Sequence, residues 1–382
     1  MPSKAVSTSL AIAQLLRERR ETLGLTLRAV AALSGEHGNP IPHSTLARIE
    51  GAQLDPGARR LQRLLRLYDL PAQVAGDLLD IEELAGAIPM ERDPAKLRER
   101  AIAAWRAGRV SEAISSFLAF RNRTSNSPEH RAMRHDAIVH FAIAASSLGK
   151  HQLARQMLDN LLIERPEPKV LVSVLVQQSV IWRSLGSTDA ALAFIERAAV
   201  HVPAEAHLQS GWIRHQRALI QIDAGDHHAA ALSLKDAERA YTRAGSPHDR
   251  GLVLLSFARL GFERGRPQEA LVAARRAARY AKRNGFARLH LCAQVDESRA
   301  LQLHGDFAAS RETLRALLAS SVAAGDNLLR FYAHFYLWKA ELVGGDPARA
   351  DVELREAGYY LKFVDQSSPE AIEVRQRILS RS

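Results

Sequence analysis

Seven glycines recur at nearly constant intervals through the last three quarters of the sequence, and this spacing constrains the fold more than any other feature. Successive members lie 37 to 41 residues apart: Gly108, Gly149, Gly186, Gly225, Gly265, Gly305 and Gly345. A fixed period of roughly 40 residues is typical of repeat proteins in which each repeat is one supersecondary unit. From about residue 94 onward, the chain is therefore expected to be an array of repeats.

Residues at fixed distances from these glycines share size and polarity. Five positions after each glycine the residue is small: Ala113, Ala154, Ala191, Ala230, Ala270, Ser310 and Ala350. Nine positions after, it is apolar: Phe117, Leu158, Ile195, Leu234, Ala274, Leu314 and Leu354. Seven positions before, it is small in six repeats and Trp338 in the seventh. This register predicts helical hairpins that turn at glycine, and a single hairpin cannot bury its apolar face without stacking on another.

The composition favours an all-α protein. Strand-like alternation is scarce, alanine, leucine, arginine and glutamate are abundant, and glycine and proline fall between apolar blocks. No stretch of eighteen apolar residues predicts a membrane span, and the N-terminal segment becomes charged too early for a signal peptide. We expect a cytoplasmic protein. Cys292 is the only cysteine, which excludes an internal disulfide and a thiolate zinc cluster.

A break in helical periodicity separates two domains. Residues 86–94 contain one glycine and two prolines, a composition typical of a boundary. We predict an N-terminal domain at 1–85, a linker at 86–93 and the repeat domain at 94–382. In the first domain, apolar spacing predicts five short helices, with the charged residues of the first and Arg59, Arg60, Arg63 and Arg66 of the fourth facing mostly outward.

The order of residues in this first domain resembles the helix-turn-helix domain of the lambda-repressor type, also called the xenobiotic-response-element (XRE) type. The matching residues are Leu15, Arg19, Gly24-Leu25-Thr26, Val30-Ala31, Ser34-Gly35, Ser44-Thr45-Leu46, Arg48-Ile49-Glu50 and Asp55-Pro56. The resemblance implies that the helix from about Pro42 to Glu50 lies in the DNA major groove. Two departures are Leu27, where the family often has glutamine, and about five extra turn residues at Glu36 to Pro40.

The same resemblance implies a set of DNA contacts. Base edges would be contacted by His43, Ser44, Thr45 and Arg48, and phosphates by Arg28, Gln53 and Arg59. The alternative for each is a solvated surface side chain. Ten basic and six acidic residues within 1–70 leave this domain a net charge of +4, out of +10 for the whole chain, which is compatible with an acidic partner.

The repeats resemble the tetratricopeptide repeat, whose usual period is about 34 residues. The segments that carry this resemblance are Gly149–Ala154, Gly186–Ala191 and Gly225–Ala230. It implies a concave groove that binds a peptide or partner protein. The family groove position, six residues before each turn glycine, holds Ile102, Ile143, Val180, Leu219, Arg259, Arg299 and Lys339. The three cations would suit a carboxylate or an acidic peptide, or they pair internally with acids such as Glu263 or Glu341.

Other residues of the repeats are candidates for the same groove and are equally compatible with the core. They are Arg183, Trp212, His215, Phe262, Tyr332 and Phe335. Motifs of metalloproteases, P-loop enzymes, serine hydrolases and dinucleotide-binding domains are absent from the sequence, so we expect neither an enzyme nor a cofactor. Asp226-His227-His228 falls in a predicted hairpin turn and is not interpreted as a metal site.

The combination of a lambda-repressor-type domain with a long repeat domain resembles the peptide-pheromone receptor regulators of bacteria and their phages, which act in quorum sensing. It implies a homodimeric transcription regulator that binds double-stranded DNA and is switched by a peptide or protein in the groove. The alternative hypothesis is an interaction scaffold whose N-terminal domain is a docking or degenerate module.

Overall fold

The structure is a computed structural model that describes residues 10–36, 39–124, 131–320, 325–364 and 368–380. Every regular element in these ranges is helical, which confirms the all-α prediction. The N-terminal helices are α1 (Leu10–Thr22), α2 (Leu27–Glu36), α3 (His43–Glu50), α4 (Gly57–Leu67) and α5 (Ala72–Leu84). None of the described helices is both long and apolar enough to span a bilayer.

Fourteen helices then form seven consecutive hairpins, as the glycine spacing predicts. They are α6 (Pro94–Arg106), α7 (Val110–Thr124), α8 (Arg131–Ser147), α9 (His151–Ile163), α10 (Pro168–Ser184), α11 (Thr188–Val200), α12 (His207–Asp223), α13 (His227–Arg243), α14 (Pro247–Glu263), α15 (Pro267–Arg283), α16 (Ala287–Leu303), α17 (Phe307–Leu318), α18 (Asn327–Leu342) and α19 (Pro347–Tyr360). A short 3-10 helix at Leu361–Phe363 and the terminal helix α20 (Pro369–Leu379) complete the array.

The turn inside each of the first six hairpins depends on a left-handed glycine. Gly108, Gly149, Gly186, Gly225, Gly265 and Gly305 have φ values between 64° and 88°. At Gly225 the amide of the glycine donates to the Ile222 carbonyl (3.0 Å), and the next amide donates to the Gln221 carbonyl (2.9 Å). These two bonds are the Schellman closure of a helix, which a β-carbon at the left-handed position would strain.

The seventh turn corrects the predicted register by one residue. Gly344, with φ of 71°, takes the left-handed conformation, not Gly345. The side chain of Glu341 accepts a hydrogen bond from the Asp346 amide (3.1 Å) and replaces part of the backbone closure. A β-carbon on Gly345 would meet the Glu341 carbonyl oxygen at 2.7 Å, so both glycines are needed, for different reasons. The sequence pattern had assigned the turn to Gly345, which lies 40 residues after Gly305.

The small and apolar positions of the repeat register form the interior of the hairpins. All twenty-one residues that lie seven before, five after and nine after the predicted turn glycines are at most 3% exposed. In the fifth hairpin the helices approach even more closely. A β-carbon on Gly261 of α14 would meet the backbone nitrogen of Ala270 of α15 at 2.6 Å. Small residues therefore set the distance between paired helices.

The N-terminal domain is docked on the first two hairpins. Helix α5 packs on α7 and α9, α1 packs on α9, and one hydrophobic cluster runs from α1 through α9. Arg19 donates to the Asn160 side chain (2.8 Å), Arg121 pairs with Glu18 (2.5 Å), and Asp77 accepts from the Leu153 amide (3.3 Å). No helix is described between Leu84 and Pro94, the segment predicted as linker. The buried contacts around it hold the two domains together.

The seven hairpins complete about one turn of a superhelix. Trp105 in the first hairpin lies under the Arg288 guanidinium of the sixth, 5.1 Å from ring centroid to guanidinium carbon. Arg288 also donates to Asp326 (2.6 Å), which caps α18. Lys362, beyond the last hairpin, pairs with Glu83 of α5 (3.3 Å). The end of the array thus returns to its beginning.

Substitution of Gly261 by alanine is expected to destabilise the protein by about 1–3 kcal/mol, because the added methyl group meets backbone atoms that cannot move aside easily. The matched control is Gly76→Ala in α5, where a β-carbon meets nothing within 4 Å and alanine favours the helix by about 0.5–1 kcal/mol. Chemical denaturation monitored by circular dichroism compares the two. If both variants change the free energy of unfolding equally and in the same direction, the close contact between Gly261 and Ala270 is contradicted.

Candidate nucleic-acid interface and repeat groove

Helix α3 is anchored by two core residues and by its boundaries. Leu46 and Ile49 are at most 1% exposed within the N-terminal domain, helices α1 to α5, which is called the head below. Pro42 is the residue before the first helical position, with φ −56° and ψ 142°, so the helix begins at His43 and ends at Glu50 as predicted within one residue. Upstream, the Thr26 hydroxyl accepts from the Ala29 amide (3.1 Å) and caps α2.

The enlarged turn between α2 and α3 is tied at both ends. The buried Ser34 hydroxyl accepts a hydrogen bond from the Ile41 amide (2.7 Å). Arg63 of α4 donates to the carbonyls of Ser34 and Asn39, each at 2.8 Å. This corrects the prediction that Arg63 faces solvent. The enlarged turn predicted at Glu36 to Pro40 also includes residues 37–38, which lie outside the described residues.

Glu50, the last residue of α3, is the centre of a second set of contacts. Arg20 of α1 binds its carboxylate with two nitrogens at 2.9 Å, and the Tyr68 hydroxyl lies 3.4 Å from it. The Glu50 hydrogen bond raises the pKa of Arg20, and burial raises the pKa of Tyr68. Arg19 is also inward, with its Nε donating to the Tyr68 carbonyl (2.9 Å). The charges of α1 are therefore not mainly solvated, contrary to the sequence prediction.

All seven predicted DNA-contacting side chains reach solvent. Six are exposed and Thr45 is half-buried: Arg28, His43, Ser44, Thr45, Arg48, Gln53 and Arg59. Within the described part of the chain, none of these side chains makes a hydrogen bond or an ion pair. Some arginines of the same domain, Arg19, Arg20 and Arg63, bind other groups of the protein. A second group, Arg28, Arg48 and Arg59, makes no hydrogen bond or ion pair with the described residues. The latter group is available to an external anion.

One residue of the α3 surface was missed in the sequence, and one noted departure from the family is explained by the structure. Ala47 is exposed one turn after Ser44 and beside Arg48, so it belongs to the same outward face, and the helical spacing from Ser44 would have identified it. Leu27, which stands where the family often has glutamine, is half-buried and packs against the head core. It does not present a polar group beside α3.

Two arginines predicted for the repeat groove, one from its register position and one from the additional candidates, share one acid. Arg183 of α10 (3.2 Å) and Arg259 of α14 (2.5 Å) both pair with Asp223 at the end of α12. Burial lowers the pKa of the Arg183 guanidinium, whose Nε is buried without a hydrogen bond in the described chain. The internal pairing that the sequence left open thus occurs, but with Asp223 in place of Glu263.

Arg299 differs from its neighbours in the groove because it has no ion pair with another described residue. Its guanidinium stacks on the Phe262 ring at 4.3 Å. One helical turn away lies Asp296, a half-buried carboxyl without a hydrogen bond to the described residues. Removal from water raises the pKa of Asp296 to about 7, and the nearby Arg299 and Arg259 oppose this shift. Arg299 and Asp296 are thus two charged groups that make no ion pair or hydrogen bond with the described residues.

The remaining groove candidates have structural partners. Lys339 pairs with Glu373 of α20 (2.6 Å), and Glu341 binds Arg315 instead. His215 is buried and bonded to the Ser256 hydroxyl (2.8 Å); burial lowers its pKa to about 4, which corrects its assignment to the groove surface. Trp212 is half-buried between two core clusters, and Tyr332 packs on the C-terminal one.

The other chemically suggestive residues have ordinary structural roles. Cys292 is half-buried, and burial raises its pKa to about 11. The Asp226 carboxylate caps α13 by accepting from the Ala229 amide (3.0 Å). In the described ranges, no group of three or more histidine, cysteine, aspartate or glutamate side chains could hold a metal ion.

Comparison with known proteins bears on the head alone. A family model described as a helix-turn-helix domain matches residues 11–78. This span covers α1 to α4 and about half of α5, the same helices that position α3. A search of the curated proteins found no match. The chain therefore contains an N-terminal helix-turn-helix domain.

Replacement of Glu50 by glutamine is expected to lower the free energy of unfolding by about 2–3 kcal/mol, because Arg20 then lies buried without its carboxylate. The control is Asp236→Asn, which removes the carboxylate from an exposed pair with Arg239 on α13 and should cost less than about 0.5 kcal/mol. Thermal unfolding of both variants provides the comparison. If the two losses are equal, the Arg20–Glu50 pair does not anchor α3.

Proposed function

We propose that this protein is a sequence-specific DNA-binding transcription regulator whose repeat groove binds a peptide or partner protein that switches DNA binding. The observation that carries the proposal is the uncommitted polar face of α3 within a matched helix-turn-helix domain. The N-terminal residues of such a helix approach base edges in the major groove. We assign base contacts to His43, Ser44, Thr45 and Arg48, and phosphate contacts to Arg28, Gln53 and Arg59.

The docking of the head suggests how a ligand in the groove would act on DNA binding. Since α1 and α5 pack on α7 and α9, a change in the stacking of the repeats moves the head with them. In a homodimer, such a change alters the separation of two α3 helices, which must match two half-sites one helical turn apart. The ligand shifts this equilibrium only if it binds one arrangement more tightly than the other.

We infer that the groove ligand is acidic. Three arginines predicted for the groove, Arg183, Arg259 and Arg299, share one paired acid, Asp223. A second acid, Asp296, has no hydrogen bond to the described residues. A carboxylate on Arg299 would complete a charge-assisted bond that no described residue supplies. The alternative, a scaffold with a degenerate head, is supported by Leu27, which lacks the polar group that braces base contacts in the resembled family.

DNA recognition is tested by selecting random duplex DNA on the purified full-length protein and on Arg48→Ala. We expect the wild type to enrich a pseudo-palindromic site and the variant to relax the preference at one position per half-site, with a loss of roughly 1–3 kcal/mol. Arg60→Ala removes another exposed arginine of the head and is the control. Recovery of no site by the wild type would favour the scaffold.

Acidity of the groove ligand is tested by peptide display on the full-length protein. An acidic peptide recovered in this way should bind more weakly as the pH rises from 6 to 8, because the Asp296 carboxyl, with its pKa near 7, becomes negatively charged beside it. Arg299→Gln should weaken binding at both pH values. Asp296→Asn should remove the pH dependence; a dependence that persists in this variant would exclude Asp296 as its source.

A further inference from the structure

Six cations form two matched rows on the outer face of the fourth and fifth hairpins. They occupy the positions ten, fourteen and eighteen residues after the turn glycine: Lys235, Arg239 and Arg243 on α13, and Arg275, Arg279 and Arg283 on α15. Residues four apart on a helix lie on one face and about 6 Å apart along its axis. Arg276 of α15 reaches Glu238 of α13 at 2.9 Å, so the two rows are neighbours.

The rows are exposed and only partly neutralised. All six side chains are exposed to solvent, and Arg276 and Lys282 add two more exposed cations to the same surface. Three acids lie among them: Asp236 pairs with Arg239 (3.4 Å), Glu297 with Arg275 (2.8 Å), and Glu238 with Arg276. Among the described contacts, Lys235, Arg243, Arg279, Lys282 and Arg283 have no ion pair or hydrogen bond. Eight cations against three acids concentrate about half of the chain's net charge of +10 here.

Neighbouring hairpins do not continue this pattern. The three equivalent positions hold Asp159, Ile163 and Glu167 in the second hairpin, and Glu196, Val200 and Ala204 in the third. In the sixth hairpin the first position is Arg315, which is paired with Glu341 (2.5 Å). The register of the repeat itself therefore does not require cations at these positions. The rows are a local property of α13 and α15.

The chemistry of the surface favours a nucleic-acid duplex over a membrane or a protein. The apolar residues of α15 are mostly buried in the hairpin, whereas a membrane-bound helix places a large apolar face in the lipid. Protein interfaces have apolar and aromatic centres. Here the exposed large apolar residues of α13 and α15 are one at the start of each row, Leu232 and Val272, and neither is aromatic. Duplex interfaces are polar and strongly positive, and each strand carries one charge per roughly 3.4 Å of axis. Arginine also binds phosphate bidentately.

We propose that the outer face of α13 and α15 binds the phosphate backbone of duplex DNA. This surface lies on the fourth and fifth hairpins, whereas the head docks on the first two, so the contact is separate from that of α3. It goes beyond the function proposed above because it does not involve the recognition helix. Phosphate contacts add affinity and hold the protein on DNA without reading its sequence.

The test uses the full-length triple variant Arg243→Gln/Arg279→Gln/Arg283→Gln, which removes three cations that have no described partner. Its affinity for a duplex of unrelated sequence, measured by fluorescence anisotropy between 50 and 200 mM salt, should fall roughly tenfold at the lower salt concentrations. The slope of log K against log salt should decrease in magnitude by roughly 2 to 3, at about 0.9 per lost phosphate contact. Discrimination between sequences should stay as in the wild type.

The control is Arg349→Gln/Arg355→Gln/Arg377→Gln, which removes the same charge from exposed positions near the end of the chain. Equal losses in both triple variants would reduce the effect to net charge and overturn the proposal, as would an unchanged slope. Binding to phosphatidylserine vesicles and to polyglutamate is measured in parallel. If one of these affinities falls in the first triple variant while duplex binding does not, the surface belongs to a membrane or to an acidic protein, respectively. Absence of a selected site with the wild type would count against α3 only, since this readout uses unrelated sequence.

Discussion

Close contact between the two helices of each hairpin is the constraint on which the rest of the structure depends. Alanine, serine or glycine at the crossing points lets the helices approach until their backbones nearly touch, as at Gly261 and Ala270. The left-handed glycine reverses the chain at the one place where this approach is compatible with a short turn. Once the hairpins share this geometry, their stacking accumulates into a superhelix, and seven units bring Trp105 back to Arg288.

The head is mounted on this superhelix through polar contacts in a largely apolar interface. Arg19, Arg121 and Asp77 each lie buried with a partner from the other domain. Removing one partner of such a contact leaves a desolvated group, so these contacts specify one orientation more than they add stability. The same head is connected to the opposite end of the array through Glu83 and Lys362. Rearrangement of the repeats would therefore affect the head from two sides.

Arginine has three distinct roles in this protein. Arg20 and Arg63 are structural, since their guanidinium groups bind a carboxylate or backbone carbonyls and position α3. Arg183 and Arg259 are held by Asp223 in the groove. Arg48 on α3, Arg299 in the groove and the rows on α13 and α15 have no ion pair or only partial neutralisation within the described chain. A positive net charge alone does not distinguish these roles.

The all-α class, the seven hairpins and the location of α3 follow from the sequence, because each depends on residue types a few positions apart. A left-handed turn favours glycine, and closely packed helices require small residues where they cross. Each helix of the head requires apolar residues spaced three or four apart, so that they lie on one buried side. Three other features became known only from the folded structure: which glycine of the Gly344–Gly345 pair turns, that His215 is buried, and which arginines have no partner among the described residues. The partners concerned lie far apart in sequence: 30 residues for Arg20 and Glu50, 40 for Arg183 and Asp223, and 279 for Lys362 and Glu83. Pairing between such groups depends on how the superhelix brings distant helices together, which no local pattern of residues encodes.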